Sequence, residues 1–194
     1  TPVSLDEAFE WVHPDPAFRY LYPDGTTFET YGELERTLQS ARHTFGDAAA
    51  DDLESFLEYT QSIWEAAAPH FIFDHAPTLG SMAGLGFQAF GALRDIDPMN
   101  TMWSAIESRV DHPKLRDVLA RFATYTGSDP REAPATLHCI AWVELGLGAR
   151  GVEGGMFEIA RTLTSIARQM GADFQFETPV RSLEVERGHI RSVE

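Results

Sequence analysis

Apolar positions recur at helical spacing through the middle of the chain and alternate as in strands towards both ends. Residues 51–67 give the clearest helix of the first half, with Leu53, Phe56, Leu57, Thr60, Ile63, Trp64 and Ala67 on one face. Asp51 and Asp52 stand at its start, where the positive end of the helix dipole favours acids. Residues 31–45 predict a second helix through Leu34, Leu38, Ala41 and Phe45, ending near Gly46. A short helix over residues 5–12 is expected from Leu5, Ala8, Phe9 and Val12. Residues 101–110 continue the helical series with Met102, Trp103, Ile106 and Val110. Pro113 opens another helix, with Asp111 as a plausible cap and Leu115, Val118, Leu119, Phe122 and Ala123 as its face; Gly127 to Pro130 stop it. Residues 133–145 read as a short apolar helix with Pro134 in its first turn, although the centre of the stretch could pass for a strand.

Two regions alternate instead. Phe18, Tyr20 and Tyr22 are separated by Arg19 and Leu21, then Pro23, Asp24 and Gly25 make a turn and residues 26–30 answer as a second strand. The aromatic stripe reads as a packed strand face, which is compatible with a wall against an apolar ligand. Near the end, Met156, Ile159, Ala160, Leu163, Ile166, Ala167 and Met170 mark one buried helix face, with Gly171 as its cap. Phe174 and Phe176 then predict a half-buried strand closed by Pro179, and Leu183, Val185, Ile190 and Val193 around Arg187 and Gly188 predict a hairpin. The expected class is α+β, a mostly helical middle between strand-forming ends.

Charge narrows the partners. A net charge of −15 leaves little to neutralise phosphates, so nucleic acid is not an expected partner. Cys139 is the only cysteine, which excludes an internal disulfide framework and suits a reducing compartment; its apolar surroundings suggest an inert buried thiol. No signal peptide and no run long and apolar enough to span a bilayer is seen. His70, Asp74 and His75 do not share one helical face and lack further ligands, so no metal is expected. Residues 75–93 carry no Asp, Glu, Lys or Arg and contain Gly80, Gly84, Gly86 and Gly91. They read either as core or as a mobile apolar lip that meets membrane or substrate, with Leu85 and Phe87 as its contact residues. The chain starts on Thr1 and stops inside a predicted hairpin, so a longer parent polypeptide is expected.

Gly146, Gly148 and Gly151 form a literal G-x-G-x-x-G after an apolar run. As a phosphate cradle it would need a helix starting within the glycines, but helical periodicity resumes only after Gly155, and Glu153 puts negative charge in the way. Residues 146–153 are therefore expected to be a connection without a bound phosphate. A dinucleotide-binding domain using Gly146, Gly148 and Gly151 stands as an alternative, as does a module without chemistry that holds an apolar ligand or a partner.

The run GARGVEGGM at 148–156, a helix, GADFQFETPV at 171–180 and an Arg-Gly hairpin together resemble the carotenoid (phytoene-type) desaturases, FAD-dependent oxidoreductases related to amine oxidases. FATYTGSDPREAPA at 122–135, DPAFRY at 15–20 and the Pro-Asp-Gly turn at 23–25 also resemble that family, in family order. The form at 151–156 is most similar to the branch acting on hydroxylated acyclic carotenoids. The resemblance implies a substrate-binding lobe over residues 1–152 and part of an FAD-binding lobe over residues 153–194. It implies transfer of a hydride from an allylic carbon to flavin, an apolar tunnel lined by Phe18, Tyr20, Tyr22, Leu85 and Phe87, and peripheral attachment to the cytoplasmic side of a membrane. Gly154 and Gly155 would allow close approach near the cofactor, and the backbone of Val180 would meet the adenine. Some relatives carry an acid and an arginine where this chain has SMAGL at 81–85, so the resemblance assigns no catalytic residue. The chain by itself is expected to bind no FAD.

Overall fold

The computed structural model describes residues 4–69 and 96–194. The expectations for His70, Asp74, His75, Leu85 and Phe87 lie outside the described residues. Helices and small sheets of two strands each make the described architecture α+β. The chain divides into two units, Val12–Gly151 on the one hand and Thr1–Trp11 with Val152–Glu194 on the other.

The helix expected over residues 5–12 ends early, as α1 (Leu5–Ala8). Beyond it the backbone is taken by pairing: Trp11–Val12 (β1) forms a two-stranded sheet with Gly151–Val152 (β4), and the Glu153 amide donates to the Glu10 carbonyl at 2.9 Å. Inter-strand bonds replace the helical ones that spacing alone would suggest.

In the Val12–Gly151 unit, Phe18–Leu21 (β2) pairs antiparallel with Thr27–Thr30 (β3), with Phe18 opposite Thr30 and Tyr20 opposite Phe28. Gly25, at φ +84°, turns the chain, and the Tyr22 amide donates to the Thr26 carbonyl at 3.0 Å. Leu34–Phe45 (α2) and Asp47–Ala67 (α3) follow, separated by Gly46 at φ +97°. α3 begins ahead of its amphipathic pattern because Ala48, Ala49 and Ala50 favour helix without showing a strong period. Thr101 caps Met102–Glu107 (α4) through a reciprocal pair with Ser104 at 3.1 and 3.0 Å. His112, rather than Asp111, precedes Pro113–Ala120 (α5); the Asp111 amide donates instead to the Asp52 carboxylate at 2.9 Å. The core of this unit joins Phe28, Phe56, Met102, Ile106, Leu115 and Phe122, all with no exposed surface.

In the other unit, Phe157–Gln169 (α6) forms as the spacing predicts, but none of its residues is buried. The apolar stripe exists, and no described element of its unit covers it. The strand expected at Phe174 and Phe176 is absent: residues 172–182 are irregular, with Glu177 at φ +56°. Alternation makes a strand only where a neighbour supplies backbone hydrogen bonds; here the two rings stack on each other at 6.1 Å with Arg168 over both. The final hairpin is present, Leu183–Glu186 (β5) against His189–Val193 (β6), turned by Arg187 and Gly188 with φ of 51° and 81°.

Candidate functional site

Two irregular helical segments in the Val12–Gly151 unit carry a cluster of aromatic and charged side chains. α5 tightens into a 3-10 turn over Arg121–Thr126, stopped by Gly127 in the left-handed conformation at φ +67°. The apolar stretch expected over residues 133–145 is helical but changes type along its length: 3-10 over Ala135–His138, α over Cys139–Ala141 and π over Trp142–Gly146. Long 3-10 runs and π turns are less favourable than α and often coincide with functional sites. Here the first presents Arg121 and Tyr125, and the second presents Glu144.

Glu144 is 8 % exposed and would be costly unpaired. It accepts from the Arg121 guanidinium and from the Tyr125 hydroxyl, the latter at 2.6 Å. The hydrogen bond to Glu144, with burial behind it, pushes the Tyr125 hydroxyl above its ordinary range. The guanidinium sits among rings: its carbon lies 4.7 Å from the Phe18 centroid, 4.6 Å from Phe122 and 5.7 Å from both Tyr20 and Tyr125. β2 thus brings Phe18 and Tyr20 to the cluster, whereas Tyr22, just beyond the strand, lies by Lys114 and Phe45. Burial pushes the Tyr20 hydroxyl up to about 12 despite the opposing pull of Arg121. The Tyr20 hydroxyl and Arg121 Nε are both cut off from solvent and lack hydrogen-bond partners.

Each ring of the stripe is half-buried. Tyr20 stacks on Phe28 at 5.8 Å; Tyr22 meets Phe45 edge-on at 6.5 Å and its hydroxyl donates to the Lys114 carbonyl at 2.7 Å. The rings of the stripe thus meet both core aromatics and the cations of Arg121 and Lys114. Sequence reasoning missed Arg121, Tyr125 and Glu144 as a group. The available signal was Glu144, a single acid within an otherwise apolar stretch, because such a charge is retained only when paired.

The glycine motif is used within the chain. A Cβ on Gly146 would collide with the Trp142 ring, one on Gly148 with the Gly32 carbonyl, and one on Gly151 would press on Val12 at 3.3 Å. Gly146 ends a helical segment, and the next helix starts only at Phe157. This is not the strand–turn–helix that presents amides to a pyrophosphate.

Gly154 and Gly155 are exposed at φ +82° and +95°, with open space beside Gly155. Val180 is 62 % exposed within the irregular segment. Cys139 is only half-buried, and burial raises its thiol. His138 is wholly buried: its Nε2–H donates to the Met102 carbonyl at 3.0 Å, its Nδ1 has no partner, and burial lowers it to about 4. No group of metal-ligating side chains and no helix long and apolar enough to cross a membrane occurs among the described residues.

No family model matches the chain. Among curated proteins it is similar to the hydroxyneurosporene desaturase of Rubrivivax gelatinosus, 30% identical over 161 residues, covering 82% of this chain and 30% of that protein. It is 27% identical over 200 residues to the 1-hydroxycarotenoid 3,4-desaturase of Flavobacterium sp. (strain P99-3), covering 98% of this chain and 38% of the relative. It is 29% identical over 177 residues to a 4,4'-diaponeurosporene oxygenase of Staphylococcus aureus, covering 91% and 35%. The chain spans about a third of the length of these relatives.

Proposed function

We propose that this chain, which belongs to the carotenoid desaturase family, is the substrate-contacting part of an FAD-dependent oxidoreductase that introduces double bonds into an acyclic carotenoid, hydroxylated as the names of two relatives indicate. The observation that carries the reading is similarity to carotenoid desaturases along nearly the whole chain. Phe18, Tyr20 and Tyr22 support it, since each is only half-buried and keeps aromatic surface that a polyene could contact. Residues 1–152 act as the substrate lobe and residues 153–194 contribute to the cofactor lobe.

Bound flavin supplies the two-electron oxidant for such a reaction. On this chain, Gly154 and Gly155 would permit close approach near the cofactor, and the Val180 backbone would meet the adenine. The inward use of Gly146, Gly148 and Gly151 supports placing the pyrophosphate elsewhere in the parent protein. The protein's own task is then to align an apolar chain and exclude water, a task that an aromatic wall performs without a nucleophile. Peripheral attachment to the cytoplasmic side of a membrane would give access to such a substrate.

Product analysis of the full-length parent protein with a panel of acyclic carotenoids tests the function. The expected product has lost two hydrogens per new double bond and absorbs at longer wavelength, in an FAD-dependent manner. Return of every substrate unchanged would overturn the reading. Oxygen in the product without new double bonds would favour a second reading, oxygenation, which the similarity to the staphylococcal oxygenase motivates.

A further inference from the structure

We infer that an open polar cleft between α2 and β3 is a binding site for a neutral polyhydroxylated ligand, a sugar, separate from the aromatic wall assigned to the polyene. The cleft has a volume of about 500 Å³, within the ~300–1,000 Å³ usual for small-molecule sites. Two periodicities build it. Arg36, Ser40, His43 and Thr44 share one stripe of α2 at spacings of three and four residues. Thr27 and Glu29, alternate residues of β3, form the other wall, while Phe28 and Thr30 are buried. No Leu, Ile, Val, Met or Phe lines the cleft among the described residues, so an apolar ligand gains nothing there.

The charges around the cleft are already committed. Glu29 accepts from the Tyr31 hydroxyl at 2.8 Å and from Arg19 Nε at 2.6 Å, and these bonds hold its carboxyl below the ordinary range. Arg36 donates to both oxygens of Asp15 at 3.0 and 3.1 Å and to Glu33 at 3.2 Å, and lies 4.1 Å from the centre of the Tyr31 ring. An anion would have to displace two carboxylates from Arg36 and would meet their charge. A metal ion would have to displace two donors from Glu29, and no group of metal-ligating side chains occurs among the described residues. What remains free is hydrogen-bonding capacity. The hydroxyls of Thr27, Ser40 and Thr44 and the ring of His43 make no hydrogen bond among the described residues. Each hydroxyl donates once and accepts twice, which is the pattern that the hydroxyls of a sugar carry. The ion-paired network fixes one part of the cleft, and the free groups exchange water for a polyol without leaving a charge unmet.

The test uses the full-length parent protein and two sources of the same chemistry. Free maltose is titrated by calorimetry, and phosphatidylcholine vesicles with or without a lipid bearing a disaccharide headgroup are tested by co-sedimentation. Maltose should bind with a dissociation constant of about 1 mM, as expected for a few solvent-accessible hydrogen bonds. His43→Ala and Thr44→Val should each weaken it about fivefold, the loss of one neutral hydrogen bond. Glu54→Ala, at an exposed position of α3 outside the cleft, should change it by less than about twofold. Binding of free maltose without a vesicle preference assigns the site to a free sugar. Co-sedimentation with the glycosylated vesicles alone, lost in the two cleft variants, assigns it to a lipid headgroup; either result supports the inference. No binding of the sugar in either form, binding that the cleft variants leave unchanged or weaken no more than Glu54→Ala does, or tighter binding of inorganic phosphate than of maltose overturns it. The polyene assays probe Phe18 instead, so the substrate reading stands or falls separately.

Discussion

α3 and α6 carry comparable amphipathic patterns and end in opposite environments. Leu53, Phe56, Leu57 and Ile63 of α3 are almost wholly withdrawn from solvent, packed in the core of the Val12–Gly151 unit. α6 has a strong apolar stripe, yet buries no residue, and Leu163 stays 45% exposed. The β5–β6 hairpin is likewise exposed throughout. Periodicity specifies the element and the face it offers; burial requires a second surface within reach. Stability should therefore be concentrated in the Val12–Gly151 unit, and side-chain truncations should reveal the contrast.

The largest effect is expected from Phe56→Ala, which empties a ring's volume in the α3 core and should cost about 3–5 kcal/mol in urea unfolding. Equal stability of this variant and the parent chain would break the comparison.

Acid should weaken the same unit. His138 is held near 4 when folded, against an ordinary value of 6.5, because burial disfavours its charge. The unfolded chain therefore takes up the proton first as pH falls. The contribution is fully present above 6.5, is lost as pH falls towards about 4, and has a limit on the order of 3 kcal/mol. His138→Gln should flatten this part of the profile; an unchanged slope between pH 4 and 6.5 would show that another group governs it.

Glu144→Gln tests the irregular helices. It leaves Arg121 without its counter-charge and should cost about 2–3 kcal/mol by thermal or urea unfolding, less than a wholly buried pair because Arg121 retains access to water. Glycine replacements sharpen the contrast between the units. Gly148→Ala faces both a left-handed backbone and the Gly32 carbonyl and should cost about 2 kcal/mol or more, whereas Gly155→Ala meets open space and should cost about 1 kcal/mol from backbone strain alone. The smallest effect should be that of Leu163→Ala on α6, within about 0.5 kcal/mol for this chain.

Much of this fold was legible because the decisive signals are local. The Pro23-Asp24-Gly25 turn flanked by alternating aromatics defines β2 and β3, and Gly46, Gly127 and the Arg187-Gly188 pair mark real boundaries. The misreadings arise where distant backbone decides. Trp11 and Val12 leave the predicted helix because β4 is available to pair with β1, and Phe174 and Phe176 make no strand because no described strand pairs with them. The candidate site was half legible. The aromatic stripe at Phe18, Tyr20 and Tyr22 could be read by alternation. Arg121 and Glu144 lie 23 residues apart on 3-10 and π turns, so no helical period brings them together on paper. Only the isolation of Glu144 in apolar sequence hinted that a partner must exist.

The central claim is that one face of β2 touches the polyene and the other does not. Phe18 points with Tyr20 towards the Arg121 cluster, while Leu21, on the opposite face of the same strand, is 75 % exposed. The direct measurement is the dissociation constant of an acyclic polyene from the full-length enzyme carrying Phe18→Ala or Leu21→Ala. The account predicts about tenfold weaker binding for Phe18→Ala, from the loss of aromatic contact area, and a change within about twofold for Leu21→Ala. Equal losses for both variants, or a larger loss for Leu21→Ala, would contradict it.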